Sequence, residues 1–263
     1  MTRPRARRGR DRAARGPSSA IARVVLFACA MVSSSATWAA HPLASEDPGT
    51  QGTGGVELEL GFAASRGDAG GRAAELAPQF AYGVAPTVDV ILRPTWLDLH
   101  PADEERRRGM GDTSLDLKWR FYDEDGLQLA LRGGVDLTTG NAERGLGATQ
   151  IGMHAVVALG VEWGTATVLA NLGARRASMP GERTYLPFAT AALLWPSEGT
   201  LRTFIEVAAQ ANGDPQRSTW PAIARTGLMW KVNESLALDI GIDGRLNRAA
   251  PSVTLLAGAT LAW

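Results

Sequence analysis

Ser252-Val253-Thr254-Leu255-Leu256-Ala257-Gly258-Ala259-Thr260-Leu261-Ala262-Trp263 is the stretch whose reading decides the fold. Counting back from Trp263, apolar residues fall at Leu261, Ala259, Ala257, Leu255 and Val253, while Thr260, Gly258 and Thr254 take the other parity. A period of two is a β-strand with two unlike faces. Such a strand fits either the edge of a soluble sheet or the last stave of a closed barrel, where it would pair with the first.

Upstream, the same alternation returns until about twelve candidate strands are counted, beginning with Val56, Leu58, Leu60 and Phe62 against Glu57, Glu59 and Gly61. The cleanest is the fourth, where Leu115, Leu117, Trp119 and Phe121 oppose Ser114, Asp116, Lys118 and Arg120. Each run approaches the roughly 9–11 residues that a tilted strand needs to cross a bilayer. The connections alternate too. Long polar ones (residues 65–72, 100–112, 139–148, 177–183, 211–219 and 247–251) take turns with tight ones at Ala85-Pro86, 123–126, Gly164, 196–199 and Asn233-Glu234. Long loops at one end and short turns at the other are the plan of an outer-membrane barrel. A soluble sandwich has no reason to follow it.

Aromatic placement supports the same plan. On the apolar parity Tyr82, Trp119, Trp163, Trp195, Trp230 and Trp263 lie beside the tight turns, and Trp96, Tyr185 and Trp220 lie toward the long loops. Tyr185 to Trp195 and Trp220 to Trp230 are each ten residues apart. At about 3.3 Å per residue and a tilt near 40°, that spacing projects to roughly 25 Å, the height of the apolar band between two aromatic girdles. The expected fold is therefore all-β, a transmembrane antiparallel up-and-down barrel over residues 55–263.

The N-terminus carries a different message. Residues 1–39 hold eight arginines and one acid, followed by the apolar run Val24 to Val32 and the small-x-small site Thr37-Trp38-Ala39. This pattern predicts a secretory signal peptide over 1–39, because the run is too short for a spanning helix. Without it the chain keeps 19 basic and 26 acidic residues, a balance that argues against a nucleic-acid partner. The single cysteine, Cys29, would leave with the signal, so neither a disulfide framework nor a thiol is expected. Residues 40–54 are rich in turn-forming types and lack periodicity, which predicts a periplasmic lead-in or a plug segment.

The terminal Trp263, with Leu261 two back and Gly258 five back, resembles the C-terminal signal read by the bacterial barrel-assembly machinery. His41-Pro42-Leu43 with Glu46-Asp47 and Gly49-Thr50, Val56-Glu57-Leu58-Glu59, Gly109-Met110-Gly111-Asp112 before Leu115-Asp116-Leu117-Lys118-Trp119-Arg120, and Thr138-Thr139-Gly140 widen the resemblance. Across the region after the signal, the chain resembles a family of Gram-negative outer-membrane β-barrel proteins described as transporters or as components of the meta-pathway of phenol degradation. These motifs are strand-and-turn grammar. They imply outer-membrane localisation and a transport role more than any chemistry.

The inward parity is where a transport function would reside. Its acids are Glu57, Glu59, Glu75, Asp89, Asp116, Asp136, Glu206, Asp239 and Asp243, and its bases Arg93, Lys118, Arg120, Arg132, Arg202, Arg225, Lys231 and Arg245. So even a balance predicts cross-strand ion pairs rather than a lumen for one sign of ion. His154 and an apolar sector of Val156, Leu169, Leu186, Phe188 and Leu194 complete the candidate lining. The three histidines have no ligand-spaced partners for a metal. No serine adjoins His154 for nucleophilic catalysis, so neither an enzyme nor a cofactor is expected. The expected function is a passive channel for small, aromatic or hydrophobic compounds embedded in outer-membrane lipids. The alternatives are a non-conducting structural or interaction barrel and a soluble periplasmic β-barrel binding protein. Arg106, Arg107 and Arg108 read as a solvated loop that could also touch lipopolysaccharide phosphates.

Overall fold

The computed structural model describes residues 41–263 except 69, 103 and 180, so the expected signal peptide lies outside the described residues. Its strand segments are β1 (Val56–Arg66), β2 (Arg72–Ala85), β3 (Val88–Arg93), β4 (Trp96–His100), β5 (Arg107–Met110), β6 (Thr113–Glu124) and β7 (Leu127–Leu137). They continue with β8 (Gly152–Trp163), β9 (Ala166–Arg176), β10 (Tyr185–Trp195), β11 (Leu201–Gln210), β12 (Ala222–Lys231), β13 (Leu236–Arg245) and β14 (Val253–Ala262). Segments β3 and β4 both pair with β2 and form one stave, interrupted at Pro94, which has no N–H to give to a ladder. Segments β5 and β6 form the next stave, so the barrel has twelve antiparallel staves, as the alternation predicts.

The decisive C-terminal strand does close the barrel. Segment β14 pairs with β13 on one side and β1 on the other, from Glu57↔Ala262 to Arg66↔Val253. The ladder ends on reciprocal bonds between Val56 and Trp263, N···O 2.9 and 3.0 Å. No sheet edge is left at the seam, which is the condition for a β-structure to exist in lipid.

The two parities separate as expected. Outward residues such as Leu60, Leu117, Leu172, Ile205, Ile240 and Leu255 are exposed, whereas inward residues such as Asp116, Arg132, His154, Glu206 and Arg225 are buried. This is the inverse of a water-soluble barrel. A continuous apolar outer surface of this kind needs lipid around it. Replacing Ile240, at the middle of β13, with Arg should therefore destabilise the folded barrel by about 2–4 kcal/mol, and Trp230→Arg, nearer the turn end, by about 0–1 kcal/mol. Denaturant unfolding in phospholipid vesicles measures both; equal costs would contradict the depth assignment.

Three local readings are corrected. The stretch 100–112 is not wholly a loop, because β4 and β5 extend as a hairpin with Asp98 opposite Arg108; pairing of these charged residues hides the strand pattern. A register shift between Arg120 and Tyr122 makes a bulge at Phe121, and Tyr122 is consequently also exposed. Such an extra residue re-aims the chain that follows it. Finally, β12 starts at Ala222, so Trp220 lies in the preceding loop and its ten-residue spacing to Trp230 is not a strand distance.

Candidate functional site

The lumen is occupied by the chain itself. From Gly55 at the turn end of β1, residues 41–54 run back into the barrel and across it, and Pro42, Leu43, Ser45, Glu46 and Pro48 are buried there. Glycines on the inward face permit this. Gly61 and Gly258 face His41 at positions where a Cβ would collide with the imidazole, and Gly160 similarly leaves room for Pro48.

The segment is held mainly by polar contacts to the wall. At its start, the Gln51 N–H is 3.1 Å from both Asp89 carboxylate oxygens. Deeper in, the Glu46 carboxylate meets Lys118 at 2.9 Å and Arg132 at 2.8 Å, while the Glu46 N–H and C=O bond to the Asn171 amide at 2.6 and 2.9 Å. Glu206 accepts the Ala44 and Ser45 N–H groups and the Ser45 hydroxyl at 2.7, 2.6 and 2.5 Å. Ser45 Oγ also lies 2.8 Å from Thr190 Oγ1. Arg225 donates to the Pro42 carbonyl at 2.6 Å, and His41 Nδ1 is 2.6 Å from Asp239. Leu43 is the apolar anchor, packed with Leu169, Ala192, Leu194 and Phe204.

Behind these contacts the wall charges hold one another. Arg132 gives Nε and Nη2 to Asp116 at 2.9 and 2.6 Å and Nη2 to Gln79 at 2.9 Å, and Gln79 bonds onward to Glu59 at 3.0 Å. His154 Nε2 is 2.9 Å and Nδ1 3.4 Å from Asp116 and Asp136 respectively. Arg225 forks onto Asp243 at 2.5 and 3.0 Å, and Arg93 reaches Glu75 at 2.8 Å. Both ring nitrogens of His154 thus face carboxylates, which leaves neither in position to activate a hydroxyl. Among the described residues, no three His, Cys, Asp or Glu side chains converge as a metal site.

The other candidates are distributed as follows. Glu57 is half-buried on the inward parity near the turn end, and Phe188 points inward against Gly173. Arg120, Lys231 and Arg245 sit at the rims rather than in the lumen: Arg120 pairs with Asp123 at 3.1 Å, Lys231 with Glu234 at 2.8 Å, and Arg245 with Asp68. Their parity is inward, but each lies near a strand end, where water and a loop carboxylate are within reach. Tyr82, Trp96, Trp119, Trp163, Tyr185, Trp195, Trp230 and Trp263 are exposed on the outer surface. The residues that sequence reasoning missed are Pro42, Leu43, Ser45 and Glu46 of the segment, and Gln79, Asn171 and Thr190 of the wall. The inward glycines were the available signal, since small residues on a lumen face make room for something.

The long-loop end is also narrowed. The loop after β7, which includes a single 3-10 turn at Ala142–Arg144, folds inward so that Leu146 packs with Ala73, Leu97 and Leu99. Asp112 pins it by accepting the Gly140 and Ala148 N–H groups at 2.9 and 2.7 Å. In the next loop, burial pushes the Glu182 carboxyl above its ordinary value, with Arg175 opposing that shift.

Comparison with known proteins places this geometry among outer-membrane channels. No family model matches the chain, and no curated protein matches its sequence. Solved structures do match in fold. The COG4313 outer membrane channel from Pseudomonas putida F1 superposes with a TM-score of 0.68 at 11% identity, over 82% of this chain and 99% of that one. The NanC porin gives 0.55 at 6% identity over 78% and 98%, and the KdgM porin 0.50 at 8% over 77% and 98%. The fold is that of a twelve-stranded outer-membrane β-barrel.

Proposed function

We propose that this chain is an outer-membrane protein of a Gram-negative bacterium. On this reading it is a passive channel for small aromatic or hydrophobic compounds, closed at rest by residues 41–54. The observation that carries this reading is how the segment is held. Glu46, Ser45 and Pro42 are bound through charged and polar wall groups, Lys118, Arg132, Glu206 and Arg225, whereas an interior built only for stability is better served by apolar packing. Ionic contacts of this kind can be exchanged for water when the segment leaves. The uncovered lumen would then offer a charged wall beside the apolar sector of Val156, Leu169, Leu186, Phe188 and Leu194, which suits solutes with an apolar body and a polar group. The resemblance to transporters of the phenol-degradation pathway agrees with that choice of solute.

A second reading, a non-conducting structural barrel, is favoured by the complete burial of Leu43 in the cluster around Phe204. Glu46→Gln separates the two. Breaking one side of a buried ion pair costs about 3–5 kcal/mol, and here the loss falls on the occupied lumen, because Lys118 and Arg132 are hydrated once the segment is out. In planar bilayers the variant should open in discrete steps more often than the parent, and phenol or benzoate should interrupt the current. A variant as silent as the parent favours the structural barrel.

A further inference from the structure

Two arginines and a histidine outside the lumen form one row on the outer wall. Arg66 of β1 lies directly opposite Arg72 of β2, and Arg72 directly opposite His100 of β4. All three are exposed and share the outward parity of Phe62, Leu76 and Trp96, which are also mutually opposite. Between the two rows lie Ala64, Ala74 and Asp98, again in register. Moving toward the long loops, the surface therefore passes from large apolar side chains to two alanines beside the Asp98–Arg106 pair and then to the two arginines and His100.

Two like charges directly opposite in a ladder are destabilising unless an anion lies between them. Among the described residues no carboxylate pairs with Arg66 or Arg72. The nearest outward acid, Asp98, is already taken by Arg106 through Nε at 2.7 Å and through Nη2, and the rim cation Arg245 is matched with Asp68. The row also lies at a telling height. Four residues beyond Phe62, Arg66 is about 13 Å farther along the strand, or roughly 10 Å up the barrel axis at a 40° tilt. Trp96, in the same row as Phe62, belongs to the aromatic girdle that marks the edge of the hydrocarbon, so the row of Arg66, Arg72 and His100 lies beyond that edge, on the headgroup side.

We propose that Arg66, Arg72 and His100 bind the phosphates of a phosphorylated glycolipid of the lipid A class in the outer leaflet. Each guanidinium presents a fork that fits phosphate oxygens. Ala64 and Ala74, with Leu255 opposite Ala64 and the Asp98–Arg106 pair on the other flank, leave a shallow trough below for acyl chains. A free phosphate would gain nothing from that trough, and the row faces lipid rather than the pore. The site goes beyond the channel reading and shares with it only the orientation that places the long loops outside the cell.

The test uses the full chain refolded into phospholipid vesicles with lipid A, with dephosphorylated lipid A, or with inorganic phosphate in the buffer. The readouts are the thermal midpoint of heat-modifiable gel migration and the lipid retained per barrel by native mass spectrometry. Lipid A should raise the midpoint and remain bound to the parent. The double variant Arg66→Ala with Arg72→Ala should lose both effects, and Arg176→Ala, an exposed cation on the far wall, should keep them. A shift that survives in the double variant, that appears with dephosphorylated lipid A, or that inorganic phosphate alone reproduces would overturn the site. Insertion is scored on the same gels. A barrel that inserts without any lipid A shift therefore defeats this inference alone, and a silent barrel that shows the shift defeats only the channel.

Discussion

Deleting residues 41–54 should turn a mostly silent barrel into one that conducts in discrete, long-lived steps. With the segment in place the lumen is crossed by His41, Leu43, Ser45 and Glu46, each in contact with the wall. Hydrogen bonds to charged groups are worth about 1.5–3 kcal/mol each, and several act together here against the entropy of ordering a short segment. A net bias of a few kcal/mol leaves the open state at about 0.1–10% of the population, so deletion should raise the mean current by roughly tenfold or more. The deletion also changes charge. Lys118 and Arg132 lose Glu46, and Asp47 goes with it, so the lumen loses two carboxylates and becomes more positive. Reversal potentials in a salt gradient should shift toward anion preference relative to the rare openings of the parent. A deleted barrel that inserts, migrates as folded and still carries no current would end the plug reading, and the lumen would then have to be blocked by the inward loop around Leu146.

The sequence reveals the barrel but leaves the plug as one of two alternatives for residues 40–54, for one physical reason. A strand whose faces meet lipid and lumen must alternate, and Leu115 to Phe121 or Val253 to Trp263 record that demand in every second residue. Closure through β14, the twelve staves and the alternation of loop lengths all follow from it. The segment 41–54 obeys no such rule, because an irregular chain inside a protein needs only satisfied backbone groups, and any wall side chain can satisfy them. Asn171, Glu206 and Arg225 do so through contacts between residues as much as 183 positions apart, which no local pattern records. The bulge at Phe121 and the hairpin β4–β5 escaped for a related reason: each departs from alternation where charged or aromatic side chains tolerate either face. The charged wall residues were legible as a set. Their pairing was not, since even balance says that partners exist and not which ones. Arg225 with Asp243 could be guessed from adjacent strands, but Arg132 with Glu46 could not.

A lock on the segment should make the current depend on redox conditions. Ser45 Oγ and Thr190 Oγ1 are 2.8 Å apart, so cysteines at both positions bring two sulfurs near the approximately 2.05 Å bonding distance with only small side-chain adjustment. The one natural cysteine, Cys29, precedes the described residues, and a chain refolded from residue 40 onward contains no competing thiol. Oxidised Ser45→Cys with Thr190→Cys should stay closed even when Glu46→Gln is added. Reduction should then release the segment and restore the openings of the Glu46→Gln barrel. The comparison isolates motion from composition, because the same polypeptide is measured in both states and only one covalent bond differs. It also bears on the deletion result: conduction by a truncated barrel is compatible with a lumen that the intact chain never opens, whereas a current that follows the disulfide requires the segment itself to leave. Openings equally frequent before and after reduction would place the conducting path elsewhere and reduce residues 41–54 to a permanent part of the barrel's core.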